Sequence, residues 1–329
     1  MKAVIYGIGK RFHKIFTDQE LIKEIFVEND IEIVGSSDRA VGFGGQRFIY
    51  RGESLPVKKV DEFLKNDIKI IVTSKIYFEE IKQELCKIGY KENQIMLIDS
   101  LLDTYLDKVF LINKYIGKER VEIGGPTDLF SNIYDKCISC DGVNFSGNTV
   151  WWKSHAKNYT YKNKILGKVW ISDATDMCQI KDKKYDFVLS SNNLEHIANP
   201  LKALKEFSRI VKPDGTILVL VPEKTETFDH NRDYTTFEHL LEDYKSDTGE
   251  DDLSHLPDII EKHDYSLDPE CGGKQKFIER AKKNLENRCL HHHVFEEETL
   301  RKSYKFAGIK VTHVKRIMGN WMIIGEKNE

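Results

Sequence analysis

The chain has 329 residues, of which 40% are hydrophobic and 31% are charged, as expected for a soluble folded protein of about two domains. A formal net charge of -3 offers no concentrated positive surface for nucleic acid or acidic lipid, so neither partner is expected. No apolar run approaches the roughly 20 residues that cross a bilayer, and the N-terminal segment lacks the order of a secretory signal. The sequence therefore predicts a cytoplasmic protein.

The first part of the chain, residues 1–108, is predicted to form an α/β domain. Short apolar runs predict strands at 2–8, 31–37, 68–74 and 95–99. Amphipathic spacing predicts helices between them, including one at 78–88 that ends before Gly89. Strands that alternate with helices favour a parallel, doubly wound sheet of the Rossmann-like kind.

A second α/β series is predicted for residues 109–329. Apolar runs predict its strands at 120–125, 136–141, 168–173, 185–191, 216–222, 309–314 and 320–327. Asn199 is expected to cap a helix whose first turn contains Pro200. A charged, histidine-containing stretch at about 223–287 interrupts the series before its last strands. This stretch is predicted to be a largely helical insertion that serves as a lid or a subunit contact.

The predicted strand at 120–125 ends in an acidic residue and a glycine turn, in VEIGG. Gly124 and Gly125 allow a ligand to approach the backbone closely, and the following helix N-terminus favours an anionic group. Asp141 ends the next predicted strand, where a carboxylate can accept both hydroxyls of a ribose. Asp173 ends the third, where an adenine edge is expected. These strand ends predict a nucleotide-type cofactor site.

Residues from about 118 to 327 resemble the class I S-adenosylmethionine-dependent methyltransferases. The resemblance lies in EIGG (122–125), SDATD (172–176), YDFVLSSNNLEHI (185–197) and KPDGTILVLVPEK (212–224). It departs from the family at Pro126 and Thr127, where further glycines are common. The resemblance implies an S-adenosylmethionine site in which Gly124 and Gly125 face the methionine moiety, Asp141 the ribose, Asp173 and Ala174 the adenine, and Ser191 and Asn192 the methionyl end, with Glu122 in the same set.

The first domain carries a partial dinucleotide-type turn. Gly7 and Gly9 follow the first predicted strand, and Asp38 is the acidic residue expected after the second. Residues 1 to about 100 resemble the small Rossmann-like domain attached to sugar-modifying enzymes, including the nucleotide-sugar-binding domain of bacterial sugar acetyltransferases. The full G-x-G-x-x-G pattern is missing, so the resemblance implies a nucleotide sugar or a structural role rather than bound NAD.

Methylation of an alcohol requires that its proton be removed, by a base or by a metal ion that lowers its pKa. The segments TFDHNR (227–232) and RCLHHHVF (288–295) flank the insertion and supply candidates for this step. The predicted catalytic residues are Asp229, His230, His291 and His293, and the predicted substrate-binding residues are His196, Arg232 and His292.

The three consecutive histidines cannot form a metal site by themselves if the chain there is extended. In an extended segment His291 and His293 share one face, while His292 points the other way. A mixed site that adds Asp229 or His230 stays open, so a divalent metal is neither established nor excluded.

The sequence predicts an S-adenosylmethionine-dependent O-methyltransferase acting on a sugar hydroxyl, carried by a nucleotide sugar destined for surface polysaccharide. Two alternatives remain at this point: an NAD-linked or nucleotide-sensing protein that uses the first domain, and a non-catalytic S-adenosylmethionine-binding module. The acceptor sugar, the position methylated and the oligomeric state, including a homo-oligomer, are left open.

Overall fold

The computed structural model describes residues 1–328 except 10–11, 14–15, 17–18, 40–46, 51, 65–66, 150–151 and 153–155. The chain divides into two compact units, Met1–Asn113 and Lys114–Glu329. Among the described residues, no helix combines the length and the apolar character needed to cross a membrane.

The first unit is built on a parallel sheet with the strand order β2-β1-β5-β6. Strands β3 and β4 form a separate antiparallel hairpin. The strands of this unit are β1 Lys2–Tyr6, β2 Glu32–Ser37, β3 Arg47–Tyr50, β4 Glu53–Pro56, β5 Ile68–Val72 and β6 Ile95–Leu97, and its helices are α1 Gln19–Glu28, α2 Phe78–Ile88 and α3 Ile98–Val109. Helix α2 buries Ile81 and Leu85 against the sheet, and Gly89 ends it at a φ of 120°.

Residues of the first unit pack closely against the glycine turn after β1 and hydrogen-bond to it. Gly7 has a φ of +95°, and a Cβ there would lie 2.8 Å from the hydroxyl of Thr73. The Asp38 carboxylate accepts a hydrogen bond from the backbone N–H of Ile8 at 2.8 Å. The acid predicted after the second strand therefore stabilises the turn. The prediction for 6–16 extends over residues 10–11 and 14–15, which lie outside the described residues.

The second unit contains an eight-stranded sheet with the order β13-β14-β12-β11-β7-β8-β10-β9. Strands β7, β8, β10, β11 and β12 pair in parallel, whereas β14 is antiparallel to both of its neighbours and β9 is antiparallel to β10. The strands are β7 Glu119–Ile123, β8 Ser139–Asn144, β9 Asn158–Tyr161, β10 Lys164–Ile171, β11 Tyr185–Ser191, β12 Val211–Pro222, β13 Ile309–Ile317 and β14 Asn320–Lys327. The predicted α/β class, with a largely parallel sheet in each unit, is confirmed.

Helix α5 (Pro200–Ile210) joins β11 to β12 and forms much of the core on one side of the sheet. The Asn199 side chain accepts a hydrogen bond from the N–H of Lys202 at 3.1 Å, and Pro200 occupies the first turn, as predicted. Leu201, Leu204 and Phe207 on its inner face are fully buried. The cap and the apolar stripe together fix the start of this helix just beyond the carboxyl end of β11.

The stretch between β12 and β13 forms the predicted helical insertion. Its helices are α6 Phe237–Ser246, α7 Leu256–Lys262, α8 Lys274–Ala281 and α9 Asn284–Asn287, and α10 Glu297–Phe306 follows before β13; the short helix α4 Ser131–Lys136 lies between β7 and β8. A small apolar cluster of its own, which includes Ile259, Phe277 and Leu290, is buried inside the insertion. This packing fixes the path by which the chain returns through residues 288–295.

Strand β8 begins three residues later than the sequence predicts. The register pairs Asp141 with Val121 and Val143 with Ile123, so Asp141 lies in the middle of the strand. Asn144, rather than Asp141, stands at its carboxyl end. The apolar residues of KCISCD suggested an earlier strand, but those at 137–138 precede the pairing with β7.

Candidate active site

A cavity of about 230 Å³ opens at the carboxyl ends of β7, β8, β10 and β11. In open parallel sheets, ligands bind at this edge because the loops after adjacent strands diverge there. Of the predicted cofactor residues, five line this cavity: Gly124, Asp173, Ala174, Ser191 and Asn192. The structure thus brings together residues from three predicted strand ends.

Gly124 requires a backbone that other residues rarely adopt. Its φ is +84°, and a Cβ would lie 2.7 Å from the side-chain amide of Asn193, which also lines the cavity. Asn192 on the opposite loop has a positive φ of 48°. The two loops therefore approach each other closely, and a side chain at position 124 would separate them.

Glu122 and Gly125 lie behind the cavity wall and do not line it. The Glu122 carboxylate accepts hydrogen bonds from the hydroxyls of Tyr134 at 2.6 Å and Tyr159 at 2.8 Å. A Cβ on Gly125 would lie 2.1 Å from that carboxylate, so only glycine fits between them. In the structure they support the turn that carries Gly124, and their predicted contact with the cofactor stays a prediction.

The buried Glu122 predicts a pH dependence of stability. Burial raises its pKa to about 7, although the Tyr134 and Tyr159 hydroxyls oppose the shift. The protonated form is therefore favoured by folding, and this contribution is complete below about pH 4.5 and lost as the pH rises through about 7. The contribution of Glu122 to the free energy of unfolding differs by on the order of 3 kcal/mol between these two pH limits.

Replacing Glu122 by glutamine is expected to reduce the fall in melting temperature between about pH 5 and pH 8, because the side chain no longer ionises. Thermal unfolding measured across this range checks the prediction. Glu119→Gln, on an exposed part of the same strand, serves as the matched control and should follow the unchanged protein. Parallel curves for Glu122→Gln and the unchanged protein would contradict the assignment.

Asp141 is not among the residues that line the cavity, and its predicted contact with a ribose stays a prediction. Its carboxylate accepts hydrogen bonds from the backbone N–H of Lys168 at 3.0 Å and the Tyr185 hydroxyl at 2.7 Å, and it forms an ion pair with Lys184 at 3.0 Å. Asn144 and Phe145, three and four positions later, line the cavity instead. The structural partners of Asp141 explain why an acid occupies this place in a sheet.

Two charged residues that were not predicted from the sequence also line the cavity, Glu250 and Arg288. Arg288 donates to Asp173 at 2.7 Å and forms an ion pair with Glu250 at 2.7 Å. Its guanidinium also stacks on the ring of Phe145, 3.7 Å from the ring centroid. The only signal in the sequence was the position of Arg288 beside the three histidines. This contact joins the insertion to the loop after β10.

The three consecutive histidines have three different environments. His291 and His293 both line a small second cavity, while His292 turns away to Asn284 at 2.9 Å and Glu250 at 3.3 Å. The predicted alternation of the side chains is therefore confirmed. His292 lies in a buried network and is not among the residues that line the cofactor cavity, and its predicted contact with substrate stays a prediction.

His293 belongs to a second group of imidazoles within the insertion. Its Nε2 donates to the backbone carbonyl of Ala198 at 3.1 Å, and its ring lies near those of His239 and His255. Burial lowers the pKa of His293 well below its usual value, so the ring is neutral near pH 7. His293 also lines the small second cavity beside His291, but its ring lies near a different set of imidazoles.

His291 is held by Asp229 beside the cofactor cavity. Its Nδ1 lies 2.5 Å from the Asp229 carboxylate, and its ring is 4.5 Å from that of His196, centroid to centroid. His196 itself lines the cofactor cavity. Burial lowers the pKa of His291, but Asp229 and Glu195 together raise it more, so the pKa lies above its usual value. An imidazole oriented in this way by a carboxylate is suited to accept a proton.

Glu195, which sequence reasoning missed, completes this group. It is 2% exposed and lines the small cavity together with His291 and Asp229. Burial raises its pKa to about 7, against the opposing effect of His291. A signal was present in LEHI, where an acid and a histidine lie in the turn a few residues after the end of β11. We refer to Glu195, His196 and His291 as the acid–histidine cluster.

Two predicted residues, His230 and Arg232, contact other protein groups in the structure. The His230 imidazole is hydrogen-bonded to Asp264 at 3.0 Å and lines neither cavity. Arg232 is 5% exposed and donates to Asp229 at 3.0 Å and to the backbone carbonyls of His291 and His292. The guanidinium of Arg232 holds the histidine segment in place, and its predicted contact with substrate stays a prediction.

Comparison with known proteins identifies a domain in this unit. Residues 121–219 match the family model described as a methyltransferase domain. The match extends from β7 into β12 and includes Gly124, Asp173 and Ser191 of the cofactor cavity. It covers less than a third of the chain.

Solved structures show more distant likeness. The similar chains include a methyltransferase solved with the Haloferax volcanii Trm112 activator (14% identity, 69% of this chain, 94% of that chain, TM-score 0.40). A SAM-dependent methyltransferase from Methanosarcina mazei is 14% identical, with 66% of this chain and 97% of that chain covered and a TM-score of 0.38. The N-methyltransferase NodS from Bradyrhizobium japonicum is 8% identical, with 70% of this chain and 97% of that chain covered and a TM-score of 0.38. These likenesses are distant, so the assignment rests on the domain match. The second unit carries a methyltransferase domain, and S-adenosylmethionine is its cofactor.

Proposed function

We propose that the chain is an O-methyltransferase that transfers the methyl group of S-adenosylmethionine to a sugar hydroxyl. The observation that carries this proposal is the acid–histidine cluster, which adjoins the cofactor cavity through His196. A carboxylate and two imidazoles at this place suit an acceptor that must lose a proton. The predicted cytoplasmic location belongs to the same proposal.

The reaction is a displacement at the sulfonium carbon. The acceptor oxygen forms a bond to the methyl carbon as the carbon–sulfur bond breaks, and the products are a methyl ether, S-adenosylhomocysteine and one proton. The protein aligns the two reactants and provides for removal of the hydroxyl proton. Asp229 acts here as a positioning residue, because it contacts His291 and Arg232 and not the cofactor cavity.

A sugar acceptor is supported by the polar character of the cavity rim. Asn193, Glu250 and Arg288 line the cavity together with His196, and a sugar offers several hydroxyls to such groups. The proposal that the sugar is nucleotide-linked and destined for surface polysaccharide is supported by the Rossmann-like first unit, with its glycine turn at Gly7. For that unit we propose nucleotide-sugar binding or a structural role.

Incubation of the full chain with S-adenosylmethionine and a panel of nucleotide sugars and free sugars tests the proposal. Mass spectrometry should find one added methyl group on at least one sugar and an equal amount of S-adenosylhomocysteine. Gly124→Val is the control, since a side chain there meets Asn193 and should abolish the product. Methylation confined to amines in a matched panel, or no sugar product, would contradict the proposed acceptor.

A further inference from the structure

The acid–histidine cluster brings three potential ligand atoms to one point. One such atom from each of Glu195, His196 and His291 lies within 4.8 Å of the other two. His196 and Glu195 are each at least nine-tenths buried, and the His291 side chain is 10% exposed. The three residues come from two separate segments, the turn after β11 and the segment that returns from the insertion.

Hydrogen bonds fix which nitrogen of each imidazole faces the cluster. The Nδ1 of His196 lies 3.0 Å from the Leu290 carbonyl oxygen, which can only accept, so this nitrogen carries the proton. The Nδ1 of His291 faces the Asp229 carboxylate at 2.5 Å and likewise donates. In the neutral rings the lone pair is therefore on Nε2. Ligating histidines are commonly oriented in this way, by a carboxylate or a backbone carbonyl on the other nitrogen.

Glu195 provides a second, independent observation. Both of its carboxylate oxygens are buried without a hydrogen-bond partner among the described residues. A buried acceptor without a donor costs free energy, and a buried carboxylate costs more. The cluster thus presents a carboxylate and imidazole lone pairs to one another. A bound cation would give the Glu195 carboxylate a partner.

We propose that Glu195, His196 and His291 bind a divalent transition-metal ion beside the cofactor cavity. Two imidazoles and one carboxylate suit Mn²⁺, Co²⁺ or Zn²⁺ better than Mg²⁺ or Ca²⁺, which prefer oxygen ligands alone. Three protein ligands leave coordination positions for the acceptor oxygen. The catalytic use of the ion rests on the proposed function, whereas its binding does not.

In the methyl-transfer reaction the ion would act on the acceptor. Coordination of a hydroxyl oxygen lowers its pKa, so that the proton leaves to solvent and the oxygen attacks the methyl carbon. The sulfonium loses its charge as the carbon–sulfur bond breaks, and one proton is released for each ether formed. Asp229 would hold His291 in the ligating orientation, and Arg232 would hold Asp229.

The insertion offers a matched control. His239, His255 and His293 also bring three ligand atoms within 4.8 Å of one another, but without a carboxylate among the three. His239→Gln alters that group and leaves the acid–histidine cluster intact. Comparison of this variant with Glu195→Gln therefore locates any bound ion.

The test is a titration of the chelator-treated full chain with Co²⁺, without S-adenosylmethionine or acceptor. Visible absorption of the bound Co²⁺ and calorimetry should show a site whose affinity falls at least about tenfold in Glu195→Gln and in His291→Gln. His239→Gln should retain it, and circular dichroism should show that all variants are folded. Absence of a site in the unchanged protein, equal affinity in Glu195→Gln, or loss only in His239→Gln would overturn the proposal.

Metal binding and sugar methylation can be tested separately. Methyl transfer that persists at full rate after metal removal, in a chain that binds no Co²⁺, would remove the metal site and leave the methyltransferase intact. Co²⁺ binding at Glu195 without any sugar product would leave the metal site and remove the proposed acceptor.

Discussion

Replacing His291 by alanine is expected to lower turnover by about 10²- to 10⁴-fold, the contribution typical of a residue that removes or polarises a proton. His291 lies in the acid–histidine cluster and not among the residues that line the cofactor cavity. The dissociation constant for S-adenosylmethionine should therefore stay within about twofold, because the lost interaction belongs to the acceptor step. Steady-state kinetics and calorimetry on the same preparation measure both quantities.

The matched control is His313→Ala, which removes an exposed imidazole from β13. It should leave both turnover and cofactor affinity unchanged. Normal turnover in His291→Ala would remove His291 from the mechanism. Equal losses of turnover and cofactor affinity would instead place its effect in the cofactor site.

Asp229→Ala is expected to destabilise the second unit by about 3–5 kcal/mol, because it leaves partners of a buried ion pair without their carboxylate. Asp229 is 3% exposed and contacts both Arg232 and His291. Its pKa is lowered to about 2, since His291 and Arg232 outweigh the opposing effect of burial. The carboxylate is thus charged at neutral pH, and the melting temperature should fall by roughly 10 °C.

Asp233→Ala supplies the comparison, because Asp233 also forms an ion pair, with Lys262, but its side chain is 95% exposed. Exposed pairs contribute at most about 1 kcal/mol, so the melting temperature of this variant should change little. A similar small change in Asp229→Ala would mean that the buried network does not stabilise the unit. Thermal unfolding at neutral pH decides between these results.

The fold could be predicted because the apolar pattern of the strands is strong. The strand at 185–191 and the last strand at 320–327 have the predicted bounds, and so does the helix Phe78–Ile88. The observed bounds of strand β8 differ from the predicted ones. KCISCD has enough apolar residues to look like a strand, but pairing with β7 selects Ser139–Asn144. A shift of three residues moves the acid from the strand end to its middle.

The site could be predicted only where a residue acts through its position on the backbone. Ser191 ends its strand, and Gly124 and Asp173 lie just after theirs, so the strand pattern places all three. The alternation of His291 and His293 against His292 follows equally from extended geometry. Glu195 and Arg288 could not be found in this way, because the contacts that define them join segments about a hundred residues apart.

We propose that the methyl group of S-adenosylmethionine moves to an oxygen atom of a sugar. The most direct test uses cofactor labelled with ¹³C in that methyl group and examines the product by heteronuclear NMR. We expect a labelled methyl carbon bonded to an oxygen of the sugar. Label on a nitrogen or a carbon atom, or label retained entirely in the cofactor in the presence of every sugar tested, would contradict it.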